Sequence, residues 1–130
     1  MASSVKVEAV EELHGMFARA KSVVVANYQG IDAEGITALR VHMRSRAVDF
    51  RVVKNTLARR ALKDTPLEVL DGDFKGPISI LIGFEDVVAP AKALADFAKS
   101  GEVKSPKIIC GVVEGKKVSP VEVQALAELP

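Results

Sequence analysis

The sequence predicts an α+β fold, a split-βαβ (ferredoxin-like) plait with additional helices. Strand-helix-strand patterning occurs twice, across Ser22 to Val53 and again across Pro77 to Val113, with further helical segments at both ends. Two units of that length suggest an antiparallel or mixed sheet carrying helices mainly on one face. At 130 residues the chain fits a single domain, 1–130, that can bury its own core. A doubly wound α/β topology is the competing arrangement.

Ser4 can cap a first helix in which Val7, Val10, Leu13 and Phe17 recur at helical spacing. Glu8, Glu11 and Glu12 favour its positive end, and it should stop near Lys21. Ser22 to Asn27 is β-branched and uncharged, the pattern of a central strand buried on both faces, and Tyr28-Gln29-Gly30 supplies a turn. From Ala33 to Arg46 the stripe Ile36, Leu39, Met43 and Ala47 marks a second helix, with Arg40 and Arg44 four apart on another face. Val48, Phe50 and Val52 alternate with Asp49 and Arg51, a period-2 strand reaching Val53. Asn55 can cap a short helix, Thr56 to Lys63, that buries Leu57, Ala58, Ala61 and Leu62 and projects Arg59, Arg60 and Lys63.

Asp64-Thr65-Pro66 and Asp71-Gly72-Asp73 punctuate a polar connection of little periodicity. Pro77 to Gly83 reads as a second buried strand, followed by a helix from Val87 to Lys99 that closes at Ser100-Gly101. Lys107 to Val113 is another strand, which Glu114-Gly115 turns into a short partner ending near Val118. Ser119, Pro120 and Glu122 form a capping box with proline at the first helical position, so a last helix begins there.

Composition excludes several function classes. Hydrophobic residues at 48% and charged residues at 27% are those of an ordinary globular chain. The longest uncharged stretch, Ser22 to Ile31, falls far short of the roughly 20 apolar residues that span a bilayer. Acids at Glu8, Glu11 and Glu12 stand where a signal peptide needs an apolar core, so a cytoplasmic protein without membrane contact is expected. Cys110 is the single cysteine, and with only His14 and His42 no zinc-ligand spacing exists; no metal or cofactor is expected.

Enzyme readings also fail residue by residue. Gly111 to Lys117 has three residues between its glycines where a phosphate-binding loop needs four, and Lys117 where Ser or Thr would hold magnesium. His14 and His42 have no nucleophile or carboxylate beside them and suit solvated or capping roles. Cys110 lies among Ile108, Ile109 and Val112 and should behave as a small core hydrophobe.

A formal charge of +1 hides an uneven distribution. Arg40, Arg44, Arg46, Arg51, Lys54, Arg59, Arg60 and Lys63 face only Asp49 between Arg40 and Lys63, whereas acids outnumber bases from Asp64 to Ser100. Such a run is often only a solvated face, but here Arg40 and Arg44 share a helix face, and Lys54 and Asn55 stand at a helix start, where backbone N–H groups receive phosphate. With aromatic residues at 5% and Tyr28 the sole tyrosine, phosphate contact and shape recognition of folded RNA fit better than stacking on splayed bases. Tyr28 could equally be an amphipathic lid on the sheet edge.

The stretch NYQGIDAEGITALRVHMRSRAVDFRVVKNTLARRAL, Asn27 to Leu62, and FKGPISILIGFED, Phe74 to Asp86, resemble the amino-terminal domain of the bacterial large-subunit ribosomal protein number ten family, the stalk-base proteins. The most specific pieces are Tyr28-x-Gly30, Val53-Lys54-Asn55-Thr56-Leu57 with Arg60-Ala61, and Gly76-Pro77. The resemblance implies an α/β plait anchored on folded large-subunit ribosomal RNA beside a neighbouring ribosomal protein. It implies an RNA-facing set of Tyr28, Gly30, Lys54, Asn55, Thr56 and Arg60. Family members continue into a long helix that carries dimers of the acidic stalk protein, which recruit translation factors. That segment is not in this sequence, so those dimers are expected to bind only through it, and the chain is expected to be a shortened or proteolysed form.

The reading is therefore a non-enzymatic ribosomal RNA-binding domain at the base of the lateral stalk. An interaction module for a protein partner, using the Val87 to Lys99 segment as an acidic helix, is the alternative, with a small hydrolase a distant third.

Overall fold

The computed structural model describes residues 4–128 apart from 53, 64, 66, 74 and 101–105. Val53, Asp64, Pro66 and Gly101, to which strand, turn and helix ends were assigned above, lie outside the described residues. Five strands form one sheet: β1 (Ser22–Asn27), β2 (Asp49–Val52), β3 (Ile78–Gly83), β4 (Lys107–Val113) and β5 (Lys116–Val118), in the order β2-β3-β1-β4-β5. Every neighbouring pair is antiparallel. β1 and β2 thus run parallel with β3 inserted between them, and β3 and β4 run parallel with β1 between them. Both βαβ units are split, and the doubly wound alternative is excluded.

β1 is the central strand because its middle, Val23 to Ala26, is apolar on both sides. Val23, Val24, Val25 and Ala26 are all buried, alternating between two cores. On one face α2 (Ala33–Ser45), α4 (Ala89–Ser100) and α5 (Pro120–Ala127) pack Leu39, Met43, Leu94, Phe97 and Val123 on Val24, Phe50 and Leu81. On the other face lie α1 (Ser4–Arg19), α3 (Asn55–Leu62) and a 3₁₀ turn (Glu68–Asp73). There Leu13, Met16, Phe17, Ala61, Leu62, Leu67 and Leu70 cover Val23, Val25, Ile80 and Ile82. Helices therefore cover both faces rather than mainly one, because every residue of β3 is buried and needs apolar partners above and below.

Local signals hold at most element ends. Ser119 accepts from the Glu122 N–H while the Glu122 carboxylate accepts from the Ser119 N–H, with Pro120 at the first helical position. Glu114 (φ 50°) and Gly115 (φ 83°) make the two-residue primed turn that joins β4 to β5. Other ends differ. α1 already includes Ser4 and stops at Arg19. Ala47, expected on the α2 stripe, is exposed beyond the helix at φ 59°, in the turn that starts β2. α4 begins at Ala89 rather than Val87, since Asp86 accepts the Val88 N–H and so forms its own turn first. The Thr65 hydroxyl donates to the Leu62 carbonyl at 2.6 Å and accepts from the Leu67 N–H, which seats Leu67 in the core of a connection that showed no periodicity.

Candidate nucleic-acid interface

Three connections meet at one end of the sheet. β1 and β2 both run antiparallel to β3, so the residues that follow Asn27, follow Val52 and precede Ile78 share one edge of the fold. The Tyr28 N–H donates to the Pro77 carbonyl at 3.0 Å, and the Tyr28 carbonyl accepts from the Ile31 N–H across a turn in which Gly30 has φ 85°. The Asn55 side-chain amide donates to the Gly76 carbonyl at 2.9 Å. Tyr28, Lys54, Asn55 and Gly76, with Val52 and Ile78, enclose an open recess of about 310 Å³.

Asn55 is not the cap of α3. Lys54 holds that position, its carbonyl accepting the Leu57 and Ala58 N–H groups at 3.1 and 3.0 Å, and no side chain caps the helix. The bond to Gly76 takes the Asn55 amide away from the helix start, a tertiary contact that outcompetes the local one. The exposed Lys54 then stands beside the uncapped N-terminus, where two positive features favour an anion.

A second recess, of about 660 Å³, runs beside β2 and is lined by Arg40, Arg44, Asp49, Phe50, Arg51 and Val52, among others. The Arg40 guanidinium lies 5.9 Å from the Phe50 ring centroid. Arg51 binds Asp49 at 3.1 Å and Glu12 of α1 at 3.4 Å, and Arg46 binds Asp96 at 2.9 Å. The basic run is therefore not one patch. Arg40 and Arg44 ride on α2, whereas the exposed Arg59, Arg60 and Lys63 belong to α3 on the opposite face of the sheet. Gly30 and Thr56 are exposed but line neither recess.

Sequence reasoning missed one contributor. Gly76 shapes the recess through its carbonyl, a role hinted at only by the Gly76-Pro77 motif. Exposed Lys75 precedes it and exposed Lys107 of β4 pairs in register with Asn27, but neither lines either of these two recesses. The helix read as acidic is not so: α4 carries Lys92, Lys99 and one acid, Asp96, which Arg46 engages.

The residues set aside as non-catalytic have structural partners. His14 Nε2 meets the Lys63 carbonyl at 3.0 Å and His42 Nε2 meets the Ala93 carbonyl at 2.8 Å, each tying two helices together. Cys110 is buried in β4. Gly111 to Lys117 is the β4-β5 hairpin. Among the described residues no three His, Cys, Asp or Glu side chains converge on a metal position, and no helix is long and apolar enough to cross a membrane.

The sequence pattern of the family described as ribosomal protein L10 matches residues 1–99. The chain belongs to the ribosomal protein L10 family. Relatives of this L10-family chain include large ribosomal subunit protein uL10 of Myxococcus xanthus (strain DK1622), 48% identical over all of this chain and 75% of its own length. The uL10 protein of Anaeromyxobacter dehalogenans (strain 2CP-C) is 44% identical over 96% of this chain and 71% of its own. That of Geobacter sulfurreducens is 42% identical over the whole chain and 74% of its own length. Membership makes the chain a ribosomal protein with a structural role in translation, at work in the cytoplasm with the ribosome.

Proposed function

We propose that this L10-family chain binds large-subunit ribosomal RNA through one end of its sheet, and forms the base of the lateral stalk beside a neighbouring ribosomal protein. It needs no cofactor and catalyses no reaction. The observation that carries the reading is the convergence of Tyr28, Lys54 and Asn55 with Gly76 around one open recess, which sets the exposed Lys54 ammonium beside the uncapped start of α3. Lys54, the start of α3 and the exposed cations Arg59, Arg60 and Lys63 would hold phosphates, with Gly30 and Thr56 at the margin and Arg40 and Arg44 on the far side of β2. Rigid strands set the spacing of these groups, so one folded RNA shape is preferred over others.

Filter-binding titration against the isolated stalk-base RNA, with an unrelated structured RNA as control, tests this. Preferential binding that weakens steeply with salt is expected, because each neutralised phosphate releases counterions. Equal binding to both RNAs would refute a specific site. A protein-interaction role through α4 has lost its basis, since that helix is not acidic.

A further inference from the structure

Building on the RNA reading above, we infer that the outer edge of β2 is a track for one continuous run of RNA phosphates, from Arg44 and Arg40 past Val52 to Lys54. Among the described residues β2 ends the sheet order and pairs only with β3, so none of their strands occupies its outer side. The first recess runs along that side and meets the second, at the end of the sheet, at Val52, which is 36% exposed and lines both. β2 itself, Asp49–Val52, covers roughly 10 Å, and Arg44 and Lys54 carry the cations past its two ends, room for consecutive phosphates.

Charge along the track has one sign in excess. The first recess brings Arg40, Arg44 and Arg51 together; Asp49 in its lining and Glu12 of α1 are both bound to Arg51, which leaves Arg40 and Arg44 as the cations open to phosphate. The second has Lys54 and no acid in its lining. Guanidinium forks match phosphate oxygens two at a time, and a lysine ends the run as a point charge. Arg51 is held by Asp49 and Glu12 and Arg40 rests over Phe50, so two of the three guanidiniums are positioned before any ligand arrives. Phe50 itself is buried, and the other ring of the lining, the half-buried Phe84, has the Arg19 guanidinium 5.5 Å from its centroid, so the chemistry the first recess offers is chiefly that of cations facing a phosphodiester backbone. A protein strand adding to β2 would have to pass between these arginines.

The test uses the whole chain and the stalk-base RNA. Replacing Arg40→Ala and Arg44→Ala together should lower the slope of log affinity against log salt by about 2, and adding Lys54→Ala by about 1 more, while Lys99→Ala leaves it unchanged. Independently, Val52→Cys with an iron chelate attached should cut one short, continuous stretch of RNA, since Cys110 is buried away from the reagent. This second arm keeps all three cations and does not depend on how the alanine variants fold. If the wild type binds the stalk-base RNA preferentially but the slope survives the arginine substitutions and position 52 produces no cuts, the track is wrong and the RNA reading stands. Cuts in two well-separated strands also overturn it. If the wild type shows no preference for this RNA, the functional reading itself has failed.

Discussion

Asn55 and Gly76 are joined by a hydrogen bond of 2.9 Å from the Asn55 amide to the Gly76 carbonyl, which fixes the start of α3 to the chain entering β3. The bond is exposed, so its net contribution to stability is only about 1 kcal/mol. Asn55→Ala should therefore shift the urea midpoint slightly but reduce RNA affinity several-fold, because one wall of the recess is released. A variant that loses stability while keeping wild-type affinity would show that the contact serves the fold alone.

Lys54→Ala should remove about one phosphate contact and lower the salt slope of RNA binding by about 1, with circular dichroism unchanged. Arg60→Ala should act similarly, and Lys99→Ala should do almost nothing. Equal losses from Lys54→Ala and Lys99→Ala would mean diffuse charge attraction. Silence from Lys54→Ala, Arg60→Ala and their combination would move the RNA to another face.

Cys110 is 3% exposed within a strand paired on both sides, and should react with a thiol reagent only as fast as the sheet opens. Labelling that is slow in buffer and rapid in denaturant is the expected pair of results; fast labelling of the native protein contradicts it.

A methyl group at Gly111 would meet Val123 Cγ2 and the Val23 carbonyl oxygen at 3.0 Å, and Val118 Cγ2 at 3.3 Å. The carbonyl belongs to the central strand and cannot retreat, so α5 must. Gly111→Ala should cost about 1–3 kcal/mol in urea unfolding. A cost below a few tenths would mean that α5 is loosely seated.

Ala47 sits at φ 59°, a conformation that costs an ordinary residue about 1–2 kcal/mol. Ala47→Gly removes the clash at some expense in chain entropy and should raise stability by up to about 1 kcal/mol. A fall in the urea midpoint would refute the strain.

Local chemistry was legible and tertiary competition was not. The Ser119-Glu122 box, the Glu114-Gly115 turn and the bounds of β1 and β4 depend on residues a few positions apart, and the structure reproduces them. Asn55 has the right side chain for a cap, but an acceptor 21 residues away claims it. Leu67, just ahead of the 3₁₀ turn, and Leu70 within it were hidden because an isolated turn of this kind has neither helical nor strand periodicity, although both are buried. For the site, sequence marked Tyr28, Lys54 and Asn55, which the fold brings together. It merged Arg40 and Arg44 with Arg59, Arg60 and Lys63 because proximity along the chain says nothing about which side of a sheet a helix takes.

The strand order has a consequence for how the molecule is made. β1 is formed from Ser22–Asn27, yet its two neighbours are Ile78–Gly83 and Lys107–Val113. During synthesis this central, buried strand must wait for both, and loop closure over such separations is paid before any pairing repays it, which makes folding slow relative to a helical bundle. A nascent chain halted before Lys107 would carry Val23 to Ala26 with one side unsealed. Its solubility at that stage depends on molecules other than itself.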